Sequence, residues 1–214
     1  MCGAYSLFAD SKKLKKRFKA KGTKADIPKR YNIRPTQSVA VILNADPEEI
    51  VMANWGVTPF WDKTGKKSII NARKDSLEKP TFKKSFHEGR CLILADGFYE
   101  WKATENGKIK IPYRFELKSR EPFAFAGICG GESPHCAIIT TEPNKTVGVV
   151  HDRMPAILKP EDEAQWLNPD LDPDQAIALL APYDDKDMAV YQVSRLLNSP
   201  QNDWIELTKP INIT

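Results

Sequence analysis

The second residue of the chain is a cysteine, Cys2, and its position gives it a chemistry that other cysteines lack. If the initiator Met1 is removed, Cys2 carries a thiol and a free α-amine on adjacent carbons, whereas the nitrogen of an internal cysteine is an amide. An α-amine has a reference pKa of about 7.7–8.0, so a useful fraction is neutral near pH 7. Such an amine condenses with an aldehyde to an imine, on which the thiol can close a thiazolidine ring. Cys2 is therefore either a candidate covalent nucleophile or an inert residue at a frayed terminus.

Three polar residues farther along the chain could supply the acid, base and positioning groups that this chemistry needs. Glu100 lies between Tyr99 and Trp101 in a strand-like segment, and a buried carboxylate there costs free energy unless it has a partner or a task. His151 carries an imidazole whose reference pKa of about 6.5 suits proton transfer at neutral pH. Asn71 ends an apolar run. The ordinary alternatives are solvent exposure for Glu100, a surface loop for His151 and a turn cap for Asn71.

Arginines and loop aromatics are candidates for contact with nucleic acid. Arg73 and Arg153 carry planar guanidinium groups, which can bind a phosphate through two hydrogen bonds at once. Phe60 and Trp61 lie in a predicted loop, and exposed rings beside a basic patch suit stacking on unpaired bases, worth about 1–3 kcal/mol per base. The alternatives are surface ion pairs for the arginines and a place in the core for the aromatic rings.

The charge of the chain is polarised along its length. Residues 11–30 carry ten basic side chains and one acid, a net of +9, within a chain whose total is +4. Residues 161–187 carry nine acids and one lysine, a net of −8. A basic stretch of this kind attracts polyanions, although it is equally typical of a solvated helix face.

The composition indicates a folded protein with reduced thiols. Of the 214 residues 41% are hydrophobic, and no apolar run approaches the ~18–20 residues of a membrane span. The first residues lack the order of a signal peptide, so we expect a cytoplasmic protein that does not contact a membrane. Its four cysteines show no CxxC pair, which in a reducing compartment predicts thiols. Cys129, His135 and Cys136 fit no usual zinc spacing, so we expect no metal site.

Many short strands in irregular order with scattered helices predict the fold class. We expect one α+β domain over residues 1–214, built on a largely antiparallel, barrel-like β-sheet with peripheral helices. The predicted loops are residues 31–37 and 58–67. The predicted helices are 11–20, segments within 74–90 broken at Pro80, 161–167 and 174–181. The predicted strands are 38–44, 50–57, 68–71, two within 91–101, 111–117, 123–129, 136–141 and 189–193.

Six local strings together resemble one known family. They are MCG (1–3), YNIRPTQ (31–37), WGVTPFW (55–61), INAR (70–73), ADGFYEWK (95–102) and HDRMPAIL (151–158). In this order they are similar to the SRAP-domain family, named for SOS-response-associated peptidases, and the resemblance continues to VSRLLNSPQND (193–203). It implies the SRAP fold and a sensor of abasic sites in single-stranded DNA. It also implies a thiazolidine crosslink through the N-terminal cysteine after the domain's own removal of Met1.

The resemblance implies a role for each matching residue. Cys2 matches the crosslinking cysteine, and Asn71 matches the asparagine that holds its amine. Glu100 matches a carboxylate that shuttles protons during imine formation, and His151 matches a histidine that assists opening of the sugar ring. The DNA contacts implied are phosphate binding by Arg73 and Arg153, and a wedge against the flanking bases made by Pro35, Phe60 and Trp61.

Two departures from the family pattern bear on DNA contact. Ala4 stands where many members carry arginine, and Arg34 supplies a charge where a small residue is usual, so Arg34 joins the expected DNA contacts. Asp75 stands where glutamate is usual. Neither departure touches Cys2 or the three residues expected to assist it.

The resulting hypothesis is a monomeric abasic-site sensor that needs neither cofactor nor metal and protects the lesion during the response to DNA damage. Its one expected partner is single-stranded DNA containing abasic sites. Two alternatives stay open: a cysteine peptidase acting on other proteins, and a non-covalent single-strand binder. Within the DNA hypothesis, an imine at the lesion also allows strand cleavage by β-elimination, which is lyase activity.

Overall fold

Fourteen strands are present in the computed structural model, which describes residues 2–59, 61–64, 66–104, 106–107, 109–130 and 134–211. In chain order they are β1 (Tyr5–Leu7), β2 (Gly22–Thr23), β3 (Arg30–Ile33), β4 (Ser38–Leu43), β5 (Asp46–Trp55), β6 (Asn71–Arg73), β7 (Arg90–Ala95), β8 (Gly97–Ala103), β9 (Lys110–Leu117), β10 (Phe123–Gly130), β11 (His135–Thr141), β12 (Met154–Pro155), β13 (Ile157–Leu158) and β14 (Met188–Gln192).

The strands form two sheets, one of which closes on itself. The first sheet has the order β14-β9-β8-β1-β3 and is antiparallel throughout. In the second, β11, β10, β7, β4 and β5 pair in turn, and β5 pairs again with β11, which completes a ring. Only the pairings of β5 with β2 and β11, and of β6 with β11, are parallel among the described strands. The predicted fold class, α+β with a largely antiparallel barrel-like sheet, is therefore confirmed.

The core lies between the two sheets and is rich in aromatic rings. Tyr5 of β1 packs edge-on against Trp55 of β5 and Phe125 of β10, with ring centroids 5.2 and 5.6 Å apart. Phe98 of β8 stacks on Phe115 of β9 at 4.9 Å and also contacts Phe125. These contacts hold the N-terminal strand, which the predicted chemistry requires, against both sheets.

Short helices surround the sheets. The described α-helices are α1 (Ser11–Phe18), α2 (Lys83–Glu88), α3 (Lys145–Gly148), α4 (Glu163–Leu167) and α5 (Pro173–Ala178). Single 3-10 turns occupy Lys74–Ser76, Asp185–Asp187, Arg195–Asn198 and Ile205–Thr208. In the described part of the chain, no helix has the length and apolarity that crossing a membrane requires.

Half of the ten basic residues in the stretch 11–30 form ion pairs with acids elsewhere in the chain. Arg17 of α1 makes a two-pronged pair with Glu163 of α4, with distances of 2.8 and 2.9 Å. Four other basic residues pair likewise: Lys13 with Glu121, Lys21 with Glu48, Lys24 with Asp46 and Arg30 with Asp203. Much of the local positive charge is therefore balanced within the fold.

Candidate active site

Cys2 lies just before β1, at the junction of the two sheets, and is completely buried. Its Sγ is 3.6 Å from the carbonyl oxygen of Ala4, to which the thiol donates a weak hydrogen bond. Burial raises the pKa of the thiol well above its usual range, and the negative charge of Glu100 raises it further. The thiol is therefore protonated at neutral pH.

Asn71 ties the N-terminal segment to the second sheet. It is the first residue of β6, which pairs in parallel with β11 through Ile138. Its Nδ2 donates a 2.9 Å hydrogen bond to the carbonyl oxygen of Cys2. Its Oδ1 is buried and has no hydrogen-bond partner among the described residues. Asn71 thus presents an unused acceptor beside the backbone of Cys2.

Glu100 reaches the same place from the first sheet. Strand β8 pairs antiparallel with β1, with Tyr5 opposite Phe98 and the amide of Tyr99 donating to the carbonyl of Ala4. Continuing that register sets Glu100 opposite Gly3, next to Cys2. Glu100 is 2% exposed, and burial raises the pKa of its carboxyl group to about 7. Glu100 is therefore a carboxyl group that is about half protonated at neutral pH.

His151 completes the group from a loop that follows α3. Its amide donates to the carbonyl of Val147 at 3.0 Å, which fixes the loop to the helix. The ring Nε2 lies 3.8 Å from Oε2 of Glu100. The ring Nδ1 is 2.9 Å from a carboxylate oxygen of Asp152 and accepts a hydrogen bond from the amide of Arg153 at 3.1 Å. Burial lowers the pKa of His151, so the ring is neutral at physiological pH.

A cavity of about 440 Å³ opens onto these groups. Its wall consists of Gly3, Arg34, Glu100, Trp101, Lys110, His151 and Asn198. Sequence reasoning did not single out Trp101, Lys110 or Asn198 as site residues. The first and last of these lie inside the strings that carried the resemblance, whereas nothing in the sequence marks Lys110. Glu100 and His151 therefore face an opening to which Cys2, one residue away from Gly3, is adjacent.

Arg34 is part of this wall and is also a structural residue. Its Nε donates to Oδ1 of Asn32 at 2.8 Å, and its Nη2 donates to the carbonyl of Leu197. The guanidinium carbon lies 5.3 Å from the ring centroid of Trp101, whose Nε1 donates to Asn198 at 2.7 Å. Arg34 thus anchors the 3-10 turn at 195–198 against β3 and β8, and its expected contact with DNA stays a prediction.

Arg73 and Arg153 line a second, neighbouring cavity of about 560 Å³. The guanidinium of Arg73 pairs with both oxygens of Asp75, at 3.2 and 2.9 Å. Arg153 donates to the carbonyl and hydroxyl oxygens of Thr140, and its Nε is buried without a hydrogen-bond partner among the described residues. Burial and the neighbouring charge of Arg73 lower the pKa of Arg153. Two guanidinium groups that repel each other in this way suit a shared anion.

Two of the three residues of the predicted wedge, Pro35 and Trp61, are among the described residues. Pro35 occupies a turn whose next residue, Thr36, has a left-handed backbone (φ 71°) and donates its amide to the carbonyl of Trp55 at 2.7 Å. Trp61 is 48% exposed, and the Lys67 ammonium lies 4.6 Å from its ring centroid. Neither residue lines the two cavities. Phe60 lies outside the described residues.

The described residues around Cys2 provide several kinds of polar group. Within the described ranges, no three histidine, cysteine or acidic side chains lie close enough together to hold a metal ion. The groups gathered around Cys2 are an amide, a carboxyl with its pKa near neutrality and a neutral imidazole. Such a set can position a nucleophile, donate a proton and accept one.

Comparison with known proteins identifies the family. The profile of the family described as SOS response associated peptidase (SRAP) matches residues 1–200. The chain is 42% identical to the abasic site processing protein YoqW of Bacillus subtilis, covering 97% of this chain and 98% of that protein. A crystal structure of a protein from Bacteroides thetaiotaomicron superposes with a TM-score of 0.86 at 28% identity, covering 98% of this chain and all of that one. A single domain extending to residue 214 stays a prediction. The chain belongs to the SOS response associated peptidase (SRAP) family.

Proposed function

We propose that this protein processes abasic sites in DNA and that it does so by covalent capture. The open-chain aldehyde of the abasic sugar would react with the amine and thiol of Cys2 to form a thiazolidine, after loss of Met1. The observation that carries the proposal is the convergence of Asn71, Glu100 and His151 on the N-terminal segment from three separate elements. The names of the relatives, abasic site processing proteins, support the substrate.

Loss of Met1 is the first requirement, because it changes the nitrogen of Cys2 from an amide to an amine. We propose that the family activity for which SRAP is named is this removal, carried out within the same chain. The buried Oδ1 of Asn71, which has no partner in the described part of the chain, would then accept a hydrogen bond from the new amine. Its Nδ2 already holds the Cys2 carbonyl, so the amide would orient the nucleophile at two points.

Opening of the sugar ring requires one proton to leave and one to arrive. His151 is neutral, and moving its ring proton to Nδ1, which lies 2.9 Å from a carboxylate oxygen of Asp152, would free Nε2 to accept the proton of the anomeric hydroxyl. Protonated Glu100 would donate to the ring oxygen as its bond to the anomeric carbon breaks. The product is the aldehyde with a free sugar hydroxyl. The pKa directions thus favour Glu100 as the acid and His151 as the base, whereas the reference pKa of histidine indicated only that His151 could transfer a proton at neutral pH.

Capture of the aldehyde then proceeds in two balanced steps. The neutral amine of Cys2 adds to the carbonyl carbon. Glu100, a carboxylate after ring opening, takes one proton from the nitrogen, and protonated His151 gives its proton to the oxygen, which produces a carbinolamine. Glu100 then donates to the hydroxyl, which leaves as water, and takes the remaining proton of the nitrogen, which gives an imine. The sulfur of Cys2 adds to the imine carbon, and the thiol proton passes to the nitrogen. The sum is aldehyde plus aminothiol giving thiazolidine plus water, and the ring makes the adduct less reversible than the imine.

Single-stranded DNA is the proposed form of the substrate. A phosphate flanking the lesion would contact Arg73 and Arg153 in the second cavity, whose lining residue Asp152 directly follows His151 of the first. An exposed ring such as Trp61 is suited to stacking on an unpaired base. Phosphate contacts carry no base preference, so binding should weaken steeply with salt. The covalent adduct would shield the lesion from strand cleavage.

The deciding experiment uses a single-stranded oligonucleotide with one abasic site and protein shown by intact mass to lack Met1. We expect a covalent adduct on a denaturing gel, at the mass of protein plus DNA minus water. Cys2→Ala should abolish it, whereas the matched variant Cys136→Ala, in the core of β11, should retain it. Absence of an adduct from the processed wild-type protein would refute the proposal.

A second variant separates the thiol from the amine. Cys2→Ser keeps the amine but replaces the thiol by a weaker nucleophile, so the imine should form without ring closure. We expect loss of the stable adduct together with strand cleavage by β-elimination, and trapping of the imine by borohydride. An adduct as stable as that of wild type would show that the thiol is not used.

A further inference from the structure

Lys110 is a cation in the wall of the first cavity, and the proposed chemistry gives it no role. It is the first residue of β9 and pairs with Ala103, the last residue of β8. Directly paired residues share a face of a sheet, and so do residues two apart on one strand. Lys110 therefore projects from the same face as Trp101, which lines the same cavity.

The ammonium group of Lys110 is available to an anion. The residue is exposed, and it is not among the six lysines that pair with an acid in the described ranges. The other permanent cation of this wall, Arg34, already donates to Asn32 and to the carbonyl of Leu197. Lys110 can therefore bind an anion without giving up a partner among the described residues.

The substrate requires a second phosphate site. An abasic nucleotide within a strand has a phosphate on each side of its sugar. In the proposed function the sugar lies against Glu100 and His151, and one of these phosphates contacts Arg73 and Arg153 in the second cavity. The strand must leave the sugar in another direction on its other side, and there the first cavity offers the ammonium of Lys110.

We propose that Lys110 binds the second phosphate flanking the lesion, on the side of the sugar away from Arg73 and Arg153. This inference rests on the proposed function and adds to it the path of the strand. A lysine suits the task because its ammonium is a point charge on a flexible stem and needs no fixed geometry to bind phosphate. Holding the backbone on both sides would restrict the motion of the sugar beside Cys2.

The test measures binding of single-stranded DNA that carries one tetrahydrofuran abasic analogue, which has no aldehyde and cannot crosslink. We expect Lys110→Gln to weaken binding at least about threefold and to lower the slope of log affinity against log salt by about 0.7, the share of one phosphate on a single strand. Lys110→Arg, which keeps the charge, should restore binding.

The matched control is Lys102→Gln. Lys102 is also exposed, but it projects from the face of β8 opposite to Lys110 and lines neither cavity. Its loss lowers the net charge of the protein equally. The affinity should therefore stay close to that of wild type, and so should the salt slope.

Two shortened oligonucleotides identify the phosphate. One has the analogue at its 5′ end and the other has it at its 3′ end, and neither carries a terminal phosphate, so each lacks one of the two flanking phosphates. Lys110→Gln should lose its effect on one of these oligonucleotides, and Arg73→Gln should lose its effect on the other.

Three results would overturn the assignment. They are an effect of Lys110→Gln no larger than that of Lys102→Gln, an effect that persists on both shortened oligonucleotides, and loss of the Lys110 and Arg73 effects on the same one. Because the analogue cannot react, these binding results are independent of the adduct assay. A failure here would leave covalent capture by Cys2 standing, and absence of the adduct would leave the binding result standing.

Discussion

At the scale of single residues, the central feature is a carboxyl group held where it cannot easily ionise. Glu100 is nearly inaccessible on β8, and burial moves its pKa from near 4.5 to about 7. His151 beside it is shifted downward by burial. Burial thus raises the pKa of the acid and lowers the pKa of the base, so that a neutral acid and a neutral base coexist at physiological pH. Ordinary surface residues of these types would instead be a carboxylate and a partly charged imidazole.

The proposed reaction should follow the protonation of Glu100. Its acid form is present below its pKa of about 7, so the rate of adduct formation should fall as the pH rises through that value. Below it, protonation of the Cys2 amine should also slow the reaction, which gives a bell-shaped profile. In Glu100→Gln the rate should drop at least tenfold and the high-pH limb should disappear. An unchanged profile, measured by gel kinetics between about pH 5 and 9, would remove Glu100 from the mechanism.

The same shift predicts how stability depends on pH, independently of any reaction. The folded state holds the proton of Glu100 up to about pH 7, whereas the unfolded chain releases it near pH 4.3. Stability from this group is therefore full below the lower value and is lost as the pH rises through the higher one. Glutamine does not ionise, so the free energy of unfolding of Glu100→Gln, relative to that of wild type, should rise by about 2–3 kcal/mol from pH 5 to pH 8. Urea denaturation at both pH values measures this difference, and a constant gap between the two proteins would contradict it.

At the scale of elements, a buried hydrogen-bond network around Arg114 requires a glycine at the start of β8, at position 97. The guanidinium of Arg114 on β9 donates to Ser6 Oγ at 2.7 Å, to the Tyr99 hydroxyl and to the Asp96 carbonyl at 3.1 Å each. It lies directly over Gly97, where a Cβ atom would be 2.3 Å from its central carbon. Gly97→Ala should therefore destabilise the protein by about 2–4 kcal/mol, because the buried arginine cannot move without losing its partners.

A matched control for that substitution is Gly148→Ala in α3. The nearest atom to a Cβ there is 3.8 Å away, and alanine favours a helix, so the change should be neutral or stabilising by up to about 1 kcal/mol. Denaturant titration of both variants gives the comparison. Equal stabilities would show that Arg114 yields more easily than its hydrogen bonds indicate.

The elements themselves were predictable to differing degrees. The predicted helix 11–20 is confirmed as α1, which buries Leu14 and Phe18, four residues apart, and ends when Lys19 adopts a left-handed backbone (φ 56°). Strand β5 begins at Asp46, four residues before the predicted strand 50–57, because its pairing with β4 outweighs the turn preference of Asp-Pro. Strands β1 and β3 were not predicted: three or four residues show too little alternation, and their structure depends on pairing with each other and with β8.

At the scale of the whole molecule, the site exists because two sheets meet. Cys2 and Glu100 come with the first sheet, Asn71 with the second and His151 with a loop behind α3. The individual residues were accessible to sequence reasoning through the strings around them. Their convergence was implied by the family resemblance alone, because no local pattern encodes the approach of β1 to β6. Lys110 lines the cavity although nothing in the sequence marked it.

The distribution of charge over the molecule leads to the last prediction. The basic stretch 11–30 was the obvious candidate for a DNA-binding surface. None of its basic residues, however, lines either of the two cavities at the candidate active site. Lys13 and Lys29 line a different cavity, next to Arg114. Half of the ten basic residues pair with acids. We therefore expect the double reversal Lys12→Glu and Lys16→Glu, on the exposed face of α1, to weaken binding of abasic single-stranded DNA less than twofold. Arg73→Gln should weaken it at least tenfold and reduce the salt slope by about one phosphate contact.

The two variants are compared by fluorescence anisotropy at about 50 and 200 mM salt, where exposed charges more than a Debye length from the DNA are screened. Cys2→Ala serves as the background, so that binding is measured without crosslinking. If reversal at α1 weakens binding as strongly as loss of Arg73, the strand must run across the basic stretch. The path of DNA through the two cavities would then be wrong, while the chemistry proposed for Cys2 would stand, because Glu100 and His151 are arranged independently of α1.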